Sequence, residues 1–553
     1  MSTKIEKLRV PAVVACLLAL VVLILGLARP SLLPRHVLGT ARIQPIELVG
    51  LAWAVFGCAA WLARKAAVKV VTGLILAGGI ALQVAALAGP PQNSSDLYRY
   101  IWDGRVQVAG IDPYLYAPGD AGVARLRNDF LWVSASDKHG PYDVCAPESR
   151  DSADPSASLV AGCTKINRPQ VPTVYPPVAE AYFTGVQLIA PADDSTTPVQ
   201  AGAALFAVVT TVILLFGLRR TGKDPRLAAL WAWCPTVALE AGQNGHVDVV
   251  GVALTAVALL LLAEAQTRKR KIAGGVLLGL AIATKVTPVL ALPGVLRRGW
   301  HLICASAASA IVIVYVPHVI AVGSKIIGFF PGYLHQEGYS SGTGFSVIGL
   351  FVPGKAALAV AVVILGLVAL AILRYGDPHT PWRGGVLMTS AALAVCTPDY
   401  QWYAILLVML VALDGQPEWL LIAAGGYLSN SPGLYIHGFT LHDPRLAGYG
   451  GGAAAACALA LLRLALRRRK PPEAEPPETE PSEAESPEAE PAGETAEEAA
   501  VEEAPAAPAI EAAAEPEAEP VIEPTAVMGP NALIGHSSVI IGPGGRPGFE
   551  FDE

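Results

Sequence analysis

The chain is 553 residues long, 53% hydrophobic and only 15% charged, with mean hydropathy +0.47, whereas a soluble domain carries about a quarter charged residues. Apolar runs long enough to cross a bilayer recur along it, which excludes an ordinary soluble globule and points to an all-α polytopic membrane protein; barrel strands would be short and alternating. The net charge of −7 hides two opposite parts. Residues 471–553 hold 21 acidic residues against one base, Arg546, while residues 1–470 hold 38 Lys and Arg against 25 Asp and Glu, a surplus that suits cytoplasmic loops and does not imply nucleic-acid binding.

In chain order, the basic stretch Lys4 to Arg9 precedes an apolar run over Val10–Ala28, read as a retained helix with a cytoplasmic N-terminus. Further spans are expected over Ile46–Ala63 and Val70–Ala88, with Arg64-Lys65 at a cytoplasmic turn. Residues 90–172 form one long polar outer loop, expected to carry short surface helices, with Tyr98, Tyr100, Trp102, Tyr114, Tyr116 and Trp132 suited to the membrane–water interface. Cys145 and Cys163 share this loop and are candidates for a disulfide if it faces an oxidising compartment. A helix follows Tyr175-Pro-Pro177 to Ala190, then a span over Val199–Leu218. If both crossed, Arg219, Arg220, Lys223 and Arg226 would land outside, against the positive-inside rule, so the Tyr175–Ala190 helix is expected not to cross fully. Two half-helices are expected to turn at Thr284-Lys-Val-Thr-Pro288, where proline breaks the run. After a span over Leu302–Val322 comes a second outer loop, 324–344, and then spans to residue 466, about twelve crossings in all. The body is therefore residues 1–470. The Pro/Glu/Ala-rich tail, 471–553, cannot bury apolar surface and is expected to be disordered and cytoplasmic.

The polar clusters collect at the outer helix ends: Asp96, Asn244-Gly-His246-Val-Asp248, His335 with Glu337, and Asp399-Tyr-Gln-Trp402, with Lys285 near the same face. Ionisable groups at such positions are costly and mark function. A carboxylate at a membrane surface, among bases and aromatic rings, suits transfer of a sugar from a lipid phosphate. The leaving group is already a phosphate, so the chemistry needs a base for the acceptor hydroxyl and cationic partners for the departing phosphate. Asp96 supplies the base. Arg99, Arg105 and Lys285 are candidate phosphate partners, and Tyr98, Asp103, Asn244, His246, Asp248, Asp399 and Trp402 complete the candidate substrate site. Each also has a structural reading: Asp96 as a helix cap, Asp103 as a partner of Arg99 or Arg105, Lys285 as a snorkelling base. No CxxC or His/Cys grouping suggests zinc.

The run Asp96-Leu-Tyr-Arg-Tyr-Ile-Trp-Asp-Gly-Arg105, followed by Gly110-Ile-Asp-Pro-Tyr114 and Tyr116-Ala-Pro118, resembles the first outer loop of GT-C fold glycosyltransferases. The chain is most similar to bacterial polyprenyl-phosphate-mannose-dependent mannosyltransferases of the family 87 kind. Tyr175-Pro-Pro177, Asn244-Gly-His-Val-Asp248, Ala283-Thr-Lys-Val-Thr-Pro288 and Asp399-Tyr-Gln-Trp402 resemble that group in order and spacing. The resemblance implies a GT-C-like bundle and Asp96 as catalytic base. It implies inverting transfer of mannose from a polyprenyl-phosphate donor to a glycan, glycolipid or protein acceptor outside a plasma membrane. Many GT-C enzymes carry two adjacent acids at this point; here Ser95 precedes Asp96, so no divalent metal or other cofactor is indicated. The rival readings are a transporter or flippase of lipid-linked sugars, and a scaffold whose working part is the acidic tail. A transporter would be expected to show midplane polar residues and paired broken helices. The chain instead shows polar clusters at one face and no internal repeat.

Overall fold

The computed structural model describes residues 2–32, 45–133, 144–145, 163–192, 194–264, 267–296, 299–429, 435–436, 439–440 and 443–468. The tail expected to be disordered lies outside them. Among the described residues the regular structure is helical apart from two-residue strands, in one three-stranded sheet and one strand pair. Cys145 and Cys163 stand opposite each other in the sheet, but their side chains lie outside the described residues.

Among the described residues, seven helices are long and apolar enough to cross a bilayer: Leu8–Ala28, Pro45–Ala63, Val68–Ala86, Thr197–Arg220, Trp300–Gln336, Ala356–Tyr375 and Leu446–Leu466. Other expected crossings fall on helices of 10 to 16 residues, among them Asp248–Ala263, Arg268–Ile282, Pro381–Cys396, Ile405–Asp414 and Leu420–Ser429. The break expected after Ala283 is present: helix Arg268–Ile282 stops there, and a tight turn, Thr287–Ala291, restarts the chain.

The bases gather at one end of the bundle. Arg9 donates to the Lys65 carbonyl (3.0 Å) and Arg226 to the Ala66 carbonyl (2.8 Å). Arg219 reaches Thr72 (3.2 Å), and Arg220 pairs with Glu264 at 2.8 Å. This assembly bears on the expected partial crossing at residues 175–190. Helix α1 (Pro177–Ile189) is 13 residues long, about 20 Å against a hydrocarbon core of about 30 Å. It begins with the Val178 N–H on the Ala283 carbonyl (3.0 Å), and its Tyr182 hydroxyl lies against the Val199 carbonyl at 3.3 Å. The helix therefore stays at the end opposite the bases, and Thr197–Arg220 alone carries the chain back to them.

Among the described residues of the first outer loop there is one α-helix, α2 (Asp96–Val108). The aromatics of α2, expected at an interface, pack inside the protein instead. Tyr98, Tyr100 and Trp102 are buried, because α2 packs against α1. Tyr100 stacks on Phe183 with centroids 4.4 Å apart and planes 11° apart, and Trp102 meets Trp132 edge-on at 5.9 Å. At the crossing, a Cβ on Gly104 would sit 2.6 Å from the Phe183 carbonyl oxygen, so the two helix backbones touch there.

Candidate active site

Asp96 opens α2. The Ser94 hydroxyl accepts its backbone N–H (3.1 Å), and a carboxylate in the first helical turn faces unpaired N–H groups and the positive end of the helix dipole. Its Oδ1 accepts from the Asn167 amide at 2.5 Å. Asn167 comes from the return of the same loop, and a buried ion pair ties that return down. Arg99 Nε donates to both Asp103 oxygens (2.9 and 3.0 Å), and Arg99 Nη1 donates to the Val171 and Arg168 carbonyls at 3.1 and 3.4 Å. One helical turn separates Arg99 from Asp103, the spacing at which side chains on one face meet.

The opposite wall comes from the middle and end of the chain. Gly245, at φ +66°, turns the backbone between Asn244 and His246; a Cβ there would lie 2.6 Å from Leu97 Cδ1. Asn244 Oδ1 accepts the N–H groups of Gln92 and Asn93 (3.1 and 3.3 Å), fastening the start of the outer loop. His246 is buried with Nδ1 3.9 Å from Asp96 Oδ2. Its ring stacks on Trp402 at 4.1 Å, and Trp402 stacks on Tyr400 at 4.3 Å. Lys285, at the helix break, pairs with Asp248 at 2.9 Å and lies over the Tyr175 and Tyr403 rings.

Between these walls lies a cavity of about 460 Å³, within the size range of small-molecule sites, whose lining includes Asp96, Asn167, Arg168, Lys285, Tyr400 and Trp402. Arg168 takes a left-handed backbone (φ +49°), a strain of about 1–2 kcal/mol for a non-glycine residue. It donates to Gln336 (2.8 Å) and pairs with Glu337 at 3.5 Å. Burial pulls its guanidinium down, but Asp96 and the surrounding tyrosines more than offset this and raise it. Burial, reinforced by Asp399, pushes the Glu337 carboxyl up to about 7. Tyr333 and Tyr403 share a short hydroxyl–hydroxyl hydrogen bond on the same wall. Among the described residues no group of three or more His, Cys, Asp or Glu is disposed to hold a metal ion.

Of the residues singled out from sequence, Asp96, Lys285 and Trp402 line the cavity, and Asn244, His246 and Asp248 stand in contact with it or behind it. Tyr98, Arg99, Asp103 and Arg105 do not line it. Arg99 and Asp103 engage each other, and Arg105 donates to the Leu126 and Ala192 carbonyls at 3.3 and 3.2 Å. Asp399 pairs with Arg445 at 3.3 Å outside the lining. Sequence reasoning missed Asn167 and Arg168, which lie in a polar loop with no periodicity and reach Asp96 only through the fold. It also missed the role of Glu240, described below.

This arrangement defines a polytopic helical membrane protein with a carboxylate, two bases and stacked rings around a cavity at one end. Residues 174–398 match the family model of glycosyltransferase family 87, so the chain resembles the GT-C membrane glycosyltransferases of that family and is a membrane glycosyltransferase. The match leaves Asp96 and the first outer loop outside it, as it does Trp402. No curated protein and no solved structure matches.

Proposed function

We propose that the protein moves a hexose, mannose on the resemblance to family 87, from a polyprenyl-phosphate donor to a glycan, glycolipid or protein acceptor, with Asp96 as general base. The observation that carries this reading is the Asp96 carboxylate facing the same cavity as Arg168, Lys285 and the Trp402 and Tyr400 rings. The acceptor O–H breaks as its proton passes to Asp96. The freed oxygen pair attacks the sugar carbon from the face opposite the phosphate, and the bond to the phosphate oxygen breaks with its electrons. Arg168 and Lys285 meet the charge that develops on the phosphate. This displacement inverts the sugar carbon. Tyr98, Arg99, Asp103 and Arg105 act by holding the loop that presents Asp96. The concentration of bases at the far end supports a plasma-membrane orientation with the cavity extracytoplasmic and the tail cytoplasmic.

The test is transfer from labelled polyprenyl-phosphate-mannose in membranes containing equal amounts of inserted protein. Asp96→Asn should lose about 10²–10⁴-fold, the usual contribution of a general base. Equal transfer by both proteins would sink the assigned base, and parallel assays with other polyprenyl-phosphate sugars identify the donor.

A further inference from the structure

We propose that His246 and Glu240 form a buried relay behind Asp96, in which His246 takes over the proton that Asp96 collects and Glu240 fixes the imidazole tautomer that can do so. The proposal rests on the reading of Asp96 as base. Glu240 is fully buried in a π-helical turn, Ala238–Gln243, a distortion frequent at functional sites. Its Oε1 accepts from the Tyr427 hydroxyl (2.9 Å) and the Gln401 amide (3.1 Å), and its Oε2 accepts from the Asn244 amide at 3.0 Å. Three donors from three segments thus hold this carboxylate as an acceptor. The face left on Oε2 looks at His246 Nε2, 3.5 Å away.

His246 is held just as firmly. Its backbone N–H bonds to the Glu240 carbonyl at 2.9 Å, and its ring lies flat on Trp402. Among the described residues neither ring nitrogen has a hydrogen-bond partner, although both are buried. Buried polar atoms left in this state are costly and call for a reason. Here one nitrogen faces Glu240 and the other faces Asp96. The spacings of 3.5 and 3.9 Å exceed a hydrogen bond, and catalytic hydrogen bonds commonly tighten only when substrate binds. With the Nε2–H directed at Glu240, Nδ1 keeps its lone pair toward Asp96. After the acceptor O–H breaks and the Asp96 O–H forms, that O–H breaks in turn as Nδ1–H forms. The resulting imidazolium keeps its Nε2–H on the Glu240 carboxylate. The proton leaves by the reverse step through Asp96 to water once product has gone. His246 and Glu240 are therefore positioning residues acting through Asp96.

The test uses the full-length enzyme in lipid nanodiscs. With ¹⁵N-histidine labelling, wild-type His246, assigned by the signal lost in His246→Gln, should be the Nε2–H tautomer, and Glu240→Gln should shift it. Glu240→Gln should lower kcat by about tenfold or more, the low end of acid–base contributions exceeding this, with donor KM within about twofold. Because Glu240 acts through the imidazole, Glu240→Gln/His246→Gln should be no slower than His246→Gln alone. A wild-type kcat in Glu240→Gln, or an Nδ1–H tautomer in the wild type, overturns the relay; the wild-type tautomer decides the matter if the variant does not fold. Loss of activity in Asp96→Asn with full activity in Glu240→Gln rejects the relay alone, whereas full activity in Asp96→Asn rejects the base and the relay with it.

Discussion

Replacing Arg99 with Met tests whether a single buried ion pair holds the loop that presents Asp96. Arg99 and Asp103 are 4% and 2% exposed, and the pair closes at 2.9 Å. Truncating the guanidinium leaves the Asp103 carboxylate buried without its cation, a loss of about 3–5 kcal/mol. It also strips a donor from the Val171 and Arg168 carbonyls. Adding Asp103→Leu removes the orphaned charge, and because apolar replacement of a buried pair is often neutral, most of the loss should return. Unfolding in detergent by graded SDS, followed by tryptophan fluorescence, gives all four corners of the cycle. A loss in Arg99→Met under about 1 kcal/mol, the range of exposed pairs, or a double variant no more stable than Arg99→Met, would refute the argument.

Two further outcomes follow from the site geometry. Gly245→Ala should destabilise the protein and lower transfer, since the positive φ costs about 1–2 kcal/mol and the added Cβ meets Leu97; equilibrium unfolding and the transfer assay check both. The Glu337 carboxyl, raised by burial to about 7 from 4.5, keeps a proton in the folded state that the unfolded chain has lost. Stability should therefore fall as pH rises between about 4.5 and 7, because the folded state binds more protons there. Glu337→Gln should flatten this dependence, measured as unfolding midpoints across the same range.

The broad architecture was readable because a bilayer demands long apolar runs, and composition reports these directly. The helix break before Pro288 was readable for a similar reason, since proline lacks the donor a helix needs. The position of Asp96 followed from the end of the third apolar run. Side-chain partnerships were less legible. Arg99 and Arg105 stand near the acid in sequence, but α2 turns them toward Asp103 and toward loop carbonyls. The spacing of Arg99 and Asp103 was itself a sign of pairing, whereas nothing near Arg168 announces that it shares a cavity with Asp96. Burial of Tyr100 and Trp102 likewise depends on α1 lying flat against α2. An aromatic residue suits an interface and a packed core equally well by composition alone.

Asn244 deserves to be seen as a mechanical part. One side of its amide grips the backbone of Gln92 and Asn93 at the cavity mouth, and the other grips Glu240. Lifting the start of the loop would pull on the same small group that sets the buried carboxylate. Entry to the cavity and the state of the machinery behind it therefore share one pin, as in an interlock where a door and a circuit use the same latch.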